Sequence, residues 1–160
     1  YRVALGGFMG VGKTSVGRRL AERLGVGFVD LDDVLADRYG PIPAQFAQDG
    51  EAAFRSRESE ALRRFCDDEP RVLATGGGAW VSEENRRWLS AHYRTVVLDA
   101  PLAVLRDRIQ GDAGRPLWDD AVAERYASRR SAYALAELVV DVTDREVPVV
   151  VEEILAWLQP

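Results

Sequence analysis

Residues Gly7-Phe8-Met9-Gly10-Val11-Gly12-Lys13-Thr14 match the pattern G-x-x-x-x-G-K-[ST]. Such a loop works only where a strand runs into a turn of backbone amides and a helix starts directly after it. Both flanks meet that demand. Arg2-Val3-Ala4-Leu5 reads as the strand, while Val16, Leu20 and Leu24 recur at helical spacing. Gly25 stands where a left-handed residue closes a helix. Gly17 and Ala21 form a neighbouring strip of small side chains that allows close packing on a sheet. Lys13 is the chain's only lysine; the other 20 of its 21 Lys and Arg residues are arginines. A compact ammonium suits a point contact with β- and γ-phosphates, whereas a planar guanidinium is built for bidentate partners. The loop predicts binding of a nucleoside triphosphate.

Further short apolar runs at 27–29, 71–74, 95–98 and 138–142 are bounded by Gly, Asp or Pro and alternate with helical segments. Helices are predicted over 14–24, 32–39, 42–47, 51–66, 83–90, 102–109, 119–136 and 148–158. This is an α/β pattern, a parallel sheet covered by helices on both sides. The 160 residues show no linker or repeat, so one domain spanning 1–160 is expected. Residues 110–116 are the most loop-like stretch and read as a mobile flap. No apolar run approaches a membrane span, and no secretory leader is visible. A net charge of −5 argues against general nucleic-acid binding. The lone Cys66 reads as an inert helix residue in a reducing cytosol, and His92 as a loop histidine outside any metal cluster. A cytoplasmic protein without membrane or nucleic-acid partners is expected.

Several constellations carry chemistry. Asp30 and Asp32 end the second strand, where the carboxyl ends of a parallel sheet face the ligand crevice. Alternation along an extended chain would put both on one side, as phosphoryl transfer needs for metal holding and hydroxyl orientation. A helix cap is the alternative use of Asp32. Thr75-Gly76-Gly77-Gly78 follows the 71–74 strand and leaves its end without side chains, so a ligand can approach the backbone. Arg55 and Glu58 sit at i, i+3, which lets the carboxylate hold the guanidinium in place. Arg115 follows the flap, and Arg129 lies on the next helix. Trp80, Trp88 and Trp157 read as packing residues, whereas Trp118 adjoins the flap.

Taken in order, these segments resemble the shikimate kinase family, from Val3 to about Leu158. The likeness rests on the loop Gly10-Val11-Gly12-Lys13-Thr14, on Asp30-Leu31-Asp32 and on Gly50-Glu51-Ala52-Ala53-Phe54-Arg55-Ser56-Arg57-Glu58. It continues through Gly76-Gly77-Gly78, Arg115-Pro116-Leu117 and Arg129 with Tyr133. The resemblance implies a three-layer P-loop kinase fold with a five-stranded parallel sheet in the order 2-3-1-4-5. It implies ATP-dependent phosphorylation of shikimate at its 3-hydroxyl, with Mg2+ as cofactor. Gly10, Val11, Gly12, Lys13, Thr14 and Ser15 would bind the nucleotide phosphates. Arg108 and the 143–148 loop, with Arg145, would hold adenine. Thr14 and Asp30 would hold magnesium. Asp32 would bind the substrate hydroxyls and serve as base or orienter for the reacting one, with Lys13 and with Arg115, closing over the nucleotide phosphates, completing the catalytic set. Phe46, Phe54, Arg55, Gly76, Gly77, Gly78 and Arg129 would bind shikimate, within a segment at about 31–60 and the elements facing it. Residues at about 111–119 would form a lid.

The family often continues the second arginine motif as Arg-x-Pro-Leu-Tyr, where this chain has Arg129-Arg130-Ser131-Ala132-Tyr133. Arg130 is therefore a rival for the carboxylate contact. Arg145 has no strict motif to fix it. A kinase for another small hydroxy acid such as gluconate, or a silent nucleotide-binding module, are the competing functions. A monomer is expected.

Overall fold

The computed structural model describes residues 1–110 and 120–160. The predicted flap, with Arg115 and Trp118, lies outside the described residues.

Five parallel strands form one sheet: β1 (Arg2–Gly7), β2 (Gly27–Asp30), β3 (Arg71–Ala74), β4 (Arg94–Asp99) and β5 (Leu138–Asp141), in the order β2-β3-β1-β4-β5. The central strand pairs Val3 with Val72 on one side and Ala4 with Thr95 on the other. Helices α1 (Lys13–Leu24), α2 (Leu31–Tyr39), α3 (Ile42–Arg63), α4 (Glu83–His92), α5 (Leu102–Gln110), α6 (Asp120–Tyr133) and α7 (Val147–Leu158) connect and flank the strands. This is the P-loop kinase fold, with the strand order that the resemblance implied.

Two glycines create the layers. A Cβ on Gly17 of α1 would come within 2.4 Å of Phe28 and 3.2 Å of Leu5, so α1 lies against the Leu5 face of the sheet. A Cβ on Gly6 would fall 2.1 Å from the Trp80 indole, which therefore packs on the opposite face. Neighbouring residues of β1 thus feed two different layers, as strand alternation requires. Overpacking of this kind typically costs about 1–3 kcal/mol, which explains small residues at these contacts. Trp80 is buried and donates from its indole N–H to Thr75 Oγ1 at 2.8 Å, so its polar atom is satisfied. It belongs to a short 3-10 helix, Ala79–Val81, that no periodicity in the sequence announced.

Local departures from expectation have simple causes. The segment Ile42–Arg63 bends at Gly50, which adopts φ 83°, so two predicted helices adjoin across a left-handed kink. α6 ends at Tyr133 rather than at 136. His92 is the last residue of α4, not a loop residue; its ring stacks on Trp88, and Nδ1 lies 2.8 Å from the Trp88 carbonyl. Cys66 lies just beyond α3 and is exposed rather than helical. Among the described residues no helix is long and apolar enough to cross a membrane.

Candidate active site

The loop after β1 turns through Gly7 (φ 139°), Gly10 (φ 80°) and Gly12 (φ 100°), all in the region that favours glycine. Gly12 caps α1 without any side-chain hydrogen bond, so the first amides of the helix stay available to an anion. Lys13 Nζ donates to the carbonyls of Gly7 at 2.6 Å and Phe8 at 3.2 Å, which holds the ammonium over the loop. Beside it lies a cleft of about 580 Å³ lined by Gly10, Val11, Gly12, Ser15, Arg108 and Arg145, among others. Arg108 ties the cleft's two walls together, donating to Val11 O at 3.3 Å and Val142 O at 3.5 Å. Arg145 donates to Asp141 O at 2.8 Å and pairs with Glu153 at 2.5 Å, which fixes the loop after β5.

The two aspartates sit beside this loop by a different route from the one expected. β2 stops at Asp30, and α2 starts at the next residue, so Asp32 lies in a first helical turn and not on a strand. The cap is Asp30: its carboxylate accepts the Asp32 N–H at 3.0 Å and the Thr14 hydroxyl at 2.9 Å. Burial, with the nearby Asp30 charge adding to it, raises the pKa of Asp32; Lys13 and Arg55 pull it back. Among the described residues no three His, Cys, Asp or Glu side chains gather as a cation cage.

The glycine triplet makes room for side chains. A Cβ on Gly78 would fall 2.1 Å from the Arg55 guanidinium. One on Gly77 would meet Arg129 Nη1 and the Tyr133 hydroxyl, each at 3.0 Å. One on Gly76 would lie 2.9 Å from Glu58 and 3.1 Å from Asp32. Arg55, Arg129, Glu58 and Asp32 therefore converge on three residues of backbone. Arg55 Nη1 pairs with Glu58 at 2.9 Å, and Glu58 is 1% exposed, so this is no solvated surface pair. Burial raises the Glu58 pKa even against the pull of Arg55. Phe46 and Phe54 stand with ring centroids 4.6 Å apart, and the Arg55 guanidinium carbon lies 5.3 Å from the Phe54 ring.

Arg129 and Arg130 point to different places. Arg129 lies 5.6 Å from the Phe8 ring and against Gly77, inside the cluster. Arg130 pairs with Asp99 at 3.0 Å and bonds the Tyr126 hydroxyl, at the end of β4. Desolvation lowers the Arg129 pKa, with the Arg55 and Arg125 charges acting in the same direction. One residue was undervalued by sequence reasoning: Tyr133, used only to fix a register, donates to Gly77 O at 2.8 Å and stands beside the Arg129 guanidinium. Burial pushes its pKa up to about 12. Its i, i+4 spacing from Arg129 was the available signal.

Nucleotide-sized cleft, phosphate loop, half-buried aspartate and neighbouring arginines thus line the carboxyl ends of one parallel sheet. A model of the shikimate kinase family matches residues 9–159. The chain belongs to the shikimate kinase family. It is similar to the shikimate kinase of Ruegeria pomeroyi, 42% identical over 164 residues that cover 98% of this chain and 84% of the relative. That of Geobacter metallireducens is 43% identical over 163 residues, covering 98% and 91%. Among solved structures, the shikimate kinase of Acinetobacter baumannii in complex with shikimate aligns with a TM-score of 0.88 and 32% identity, over 98% of this chain and 91% of that one. The strand order is therefore that of a shikimate kinase family member.

Proposed function

We propose that the chain transfers the γ-phosphoryl group of ATP to the 3-hydroxyl of shikimate, giving shikimate 3-phosphate and ADP. The observation that carries this reading is the convergence of Asp32, Arg55 and Arg129 on the glycine triplet beside the phosphate loop. The two guanidiniums take the substrate carboxylate, and the Phe46–Phe54 pair forms the apolar wall against its ring. Asp32 accepts the proton of the 3-hydroxyl as that oxygen bonds to the γ-phosphorus and the bond to the β-bridging oxygen breaks toward ADP. Its raised pKa makes it a better proton acceptor than an ordinary carboxylate, while the Lys13 and Arg55 charges oppose that rise. The amides of Gly10, Val11, Gly12, Lys13, Thr14 and Ser15 hold the phosphates with the Lys13 ammonium. Arg108, Arg145 and the 143–148 loop hold the adenine side of the cleft.

Thr14 and Asp30 offer two hard oxygens within 2.9 Å of each other beside the loop. This fits magnesium, which takes few protein ligands and keeps waters and phosphate oxygens. Thr14 and Asp30 would hold it, directly or through water; when bound, it neutralises charge on the phosphates. Arg115, outside the described residues, is assigned to the transferring phosphoryl from its Arg-Pro-Leu motif, within a lid at about 111–119. Every residue assigned comes from this one chain, which supports a reading in which a single copy forms the whole site.

The test is coupled ADP release with shikimate against gluconate. Turnover with shikimate, and little with gluconate, is expected. Preference for gluconate would overturn the substrate assignment, and ATP binding without either turnover would leave a silent module.

A further inference from the structure

Against the arginine cluster lies a cavity of about 390 Å³ whose charged lining is Glu51, Arg55, Glu58, Arg125 and Arg129. Three guanidiniums face two carboxylates there, so the mouth is locally positive in a chain of net charge −5. Arg125 precedes Arg129 by one turn of α6, which places both on one face. Their charges interact, since Arg125 helps to lower the Arg129 pKa. Arg55 has Glu58, Arg129 has Tyr133 and the Phe8 ring, and Arg130 has Asp99. Among the described residues the Arg125 guanidinium has no such partner; only its backbone carbonyl is engaged, by the Ser128 hydroxyl at 2.9 Å.

An unpartnered guanidinium lining the same cavity as two ligand-gripping ones needs an occupant. A monoanionic substrate also approaches against the repulsion of a net negative chain. We propose that Arg125 is a capture residue, which attracts the substrate carboxylate into this vestibule and passes it inward to Arg129 and Arg55. The inference rests on the shikimate reading above. Arg125 attracts the carboxylate at long range, both on entry and once it is seated deeper, without touching it in the reacting complex, so its loss slows association and leaves the barrier to dissociation unchanged. Charges at the rim of a site characteristically set on-rate and salt dependence, whereas buried partners set the off-rate.

The test is stopped-flow binding of shikimate, followed by tryptophan fluorescence, at increasing salt. Arg125→Gln should lower the association rate about five-fold at low salt, with the off-rate and kcat unchanged. The difference should fade near 1 M salt, where the screening length falls to about 3 Å. Arg125→Lys should restore most of the rate, which a purely structural role of the guanidinium would not allow. An unchanged on-rate and salt slope in Arg125→Gln would overturn the proposal. So would a faster off-rate like that of Arg129→Ala, because Arg125 would then be a contact of the bound complex. Failure of the wild-type chain to turn over shikimate shows separately, before any variant is made, and overturns both readings.

Discussion

Two arginines at opposite ends of the same sheet are withdrawn from water in opposite ways. Arg71 opens β3 at the end away from the phosphate loop. It is buried, pairs with Asp67 at 2.6 Å and Glu69 at 2.8 Å, donates to the Tyr93 hydroxyl at 3.3 Å, and lies 5.3 Å from the Phe65 ring. The hydrogen bond to Asp67 leads the contacts that raise its pKa. Arg129, at the other end, is half-buried beside two further guanidiniums, and desolvation lowers its pKa. It stands beside the Tyr133 hydroxyl and the Phe8 ring, and the Glu58 carboxylate acts on it only as a nearby charge, with no ion pair among the described residues. A cation whose charge is met within the fold serves the fold. One held in place without an ion-pair partner is what the proposed role in gripping an anionic substrate requires.

The largest effect expected at the functional end is on chemistry. Asp32→Asn should lower turnover about 10²–10⁴-fold while ATP affinity stays near wild type, as measured by ADP release and nucleotide titration. Near-normal turnover would remove Asp32 from the mechanism.

Next comes a double dissociation between the two arginines. Arg129→Ala should weaken shikimate binding by roughly one to two decades, from the loss of a charge-assisted contact worth about 1.5–3 kcal/mol, with Tm held. Arg71→Ala should leave shikimate affinity unchanged and cost about 1–3 kcal/mol of stability through its lost hydrogen bonds and packing. Matching phenotypes in the two variants would break the comparison.

A smaller effect has a definite sign. The folded-state pKa of Asp32 is raised, so its ionised form costs stability above that raised value. The cost fades as pH falls through it toward the ordinary carboxylate range. Asp32→Asn should therefore raise Tm at pH 7, and the gain should shrink in acid. A variant less stable than wild type at pH 7 would contradict this. Smallest of all, Tyr133→Phe should raise the KM for shikimate about five-fold with kcat nearly unchanged, because it frees Gly77 O, beside Arg129, of one hydrogen bond worth about 1 kcal/mol.

Much of this contrast could be read from sequence, but unevenly. The phosphate loop, its strand and helix, and the i, i+3 pair of Arg55 and Glu58 depend on local spacing, and local spacing is visible. Strand order is not local: that β3 lies between β2 and β1 came only from the family resemblance. Asp30 and Asp32 were placed in the right region for the wrong reason, since alternation assumed a strand that the Asp30 cap terminates. The glycine triplet was read as access for a ligand, whereas its space holds the side chains of Arg55, Arg129, Glu58 and Asp32, which arrive from α2, α3 and α6. Sequence could not choose between Arg129 and Arg130. The choice depends on Asp99 at the end of β4, 31 residues earlier, which holds Arg130 away from the cluster. Arg71 was read only as the start of a strand, because its partners Asp67 and Glu69 resemble any other surface acids until the chain folds back beneath Tyr93.

The central claim is that a substrate carboxylate completes the charge left open at Arg129. Calorimetric titration of shikimate and of its neutral carboxamide, on wild type and on Arg129→Ala, tests it most directly. The carboxamide should bind wild type roughly 10–100-fold more weakly than shikimate, and that ratio should collapse toward one in Arg129→Ala. An undiminished ratio in the variant would show that the carboxylate is recognised elsewhere and contradict the account.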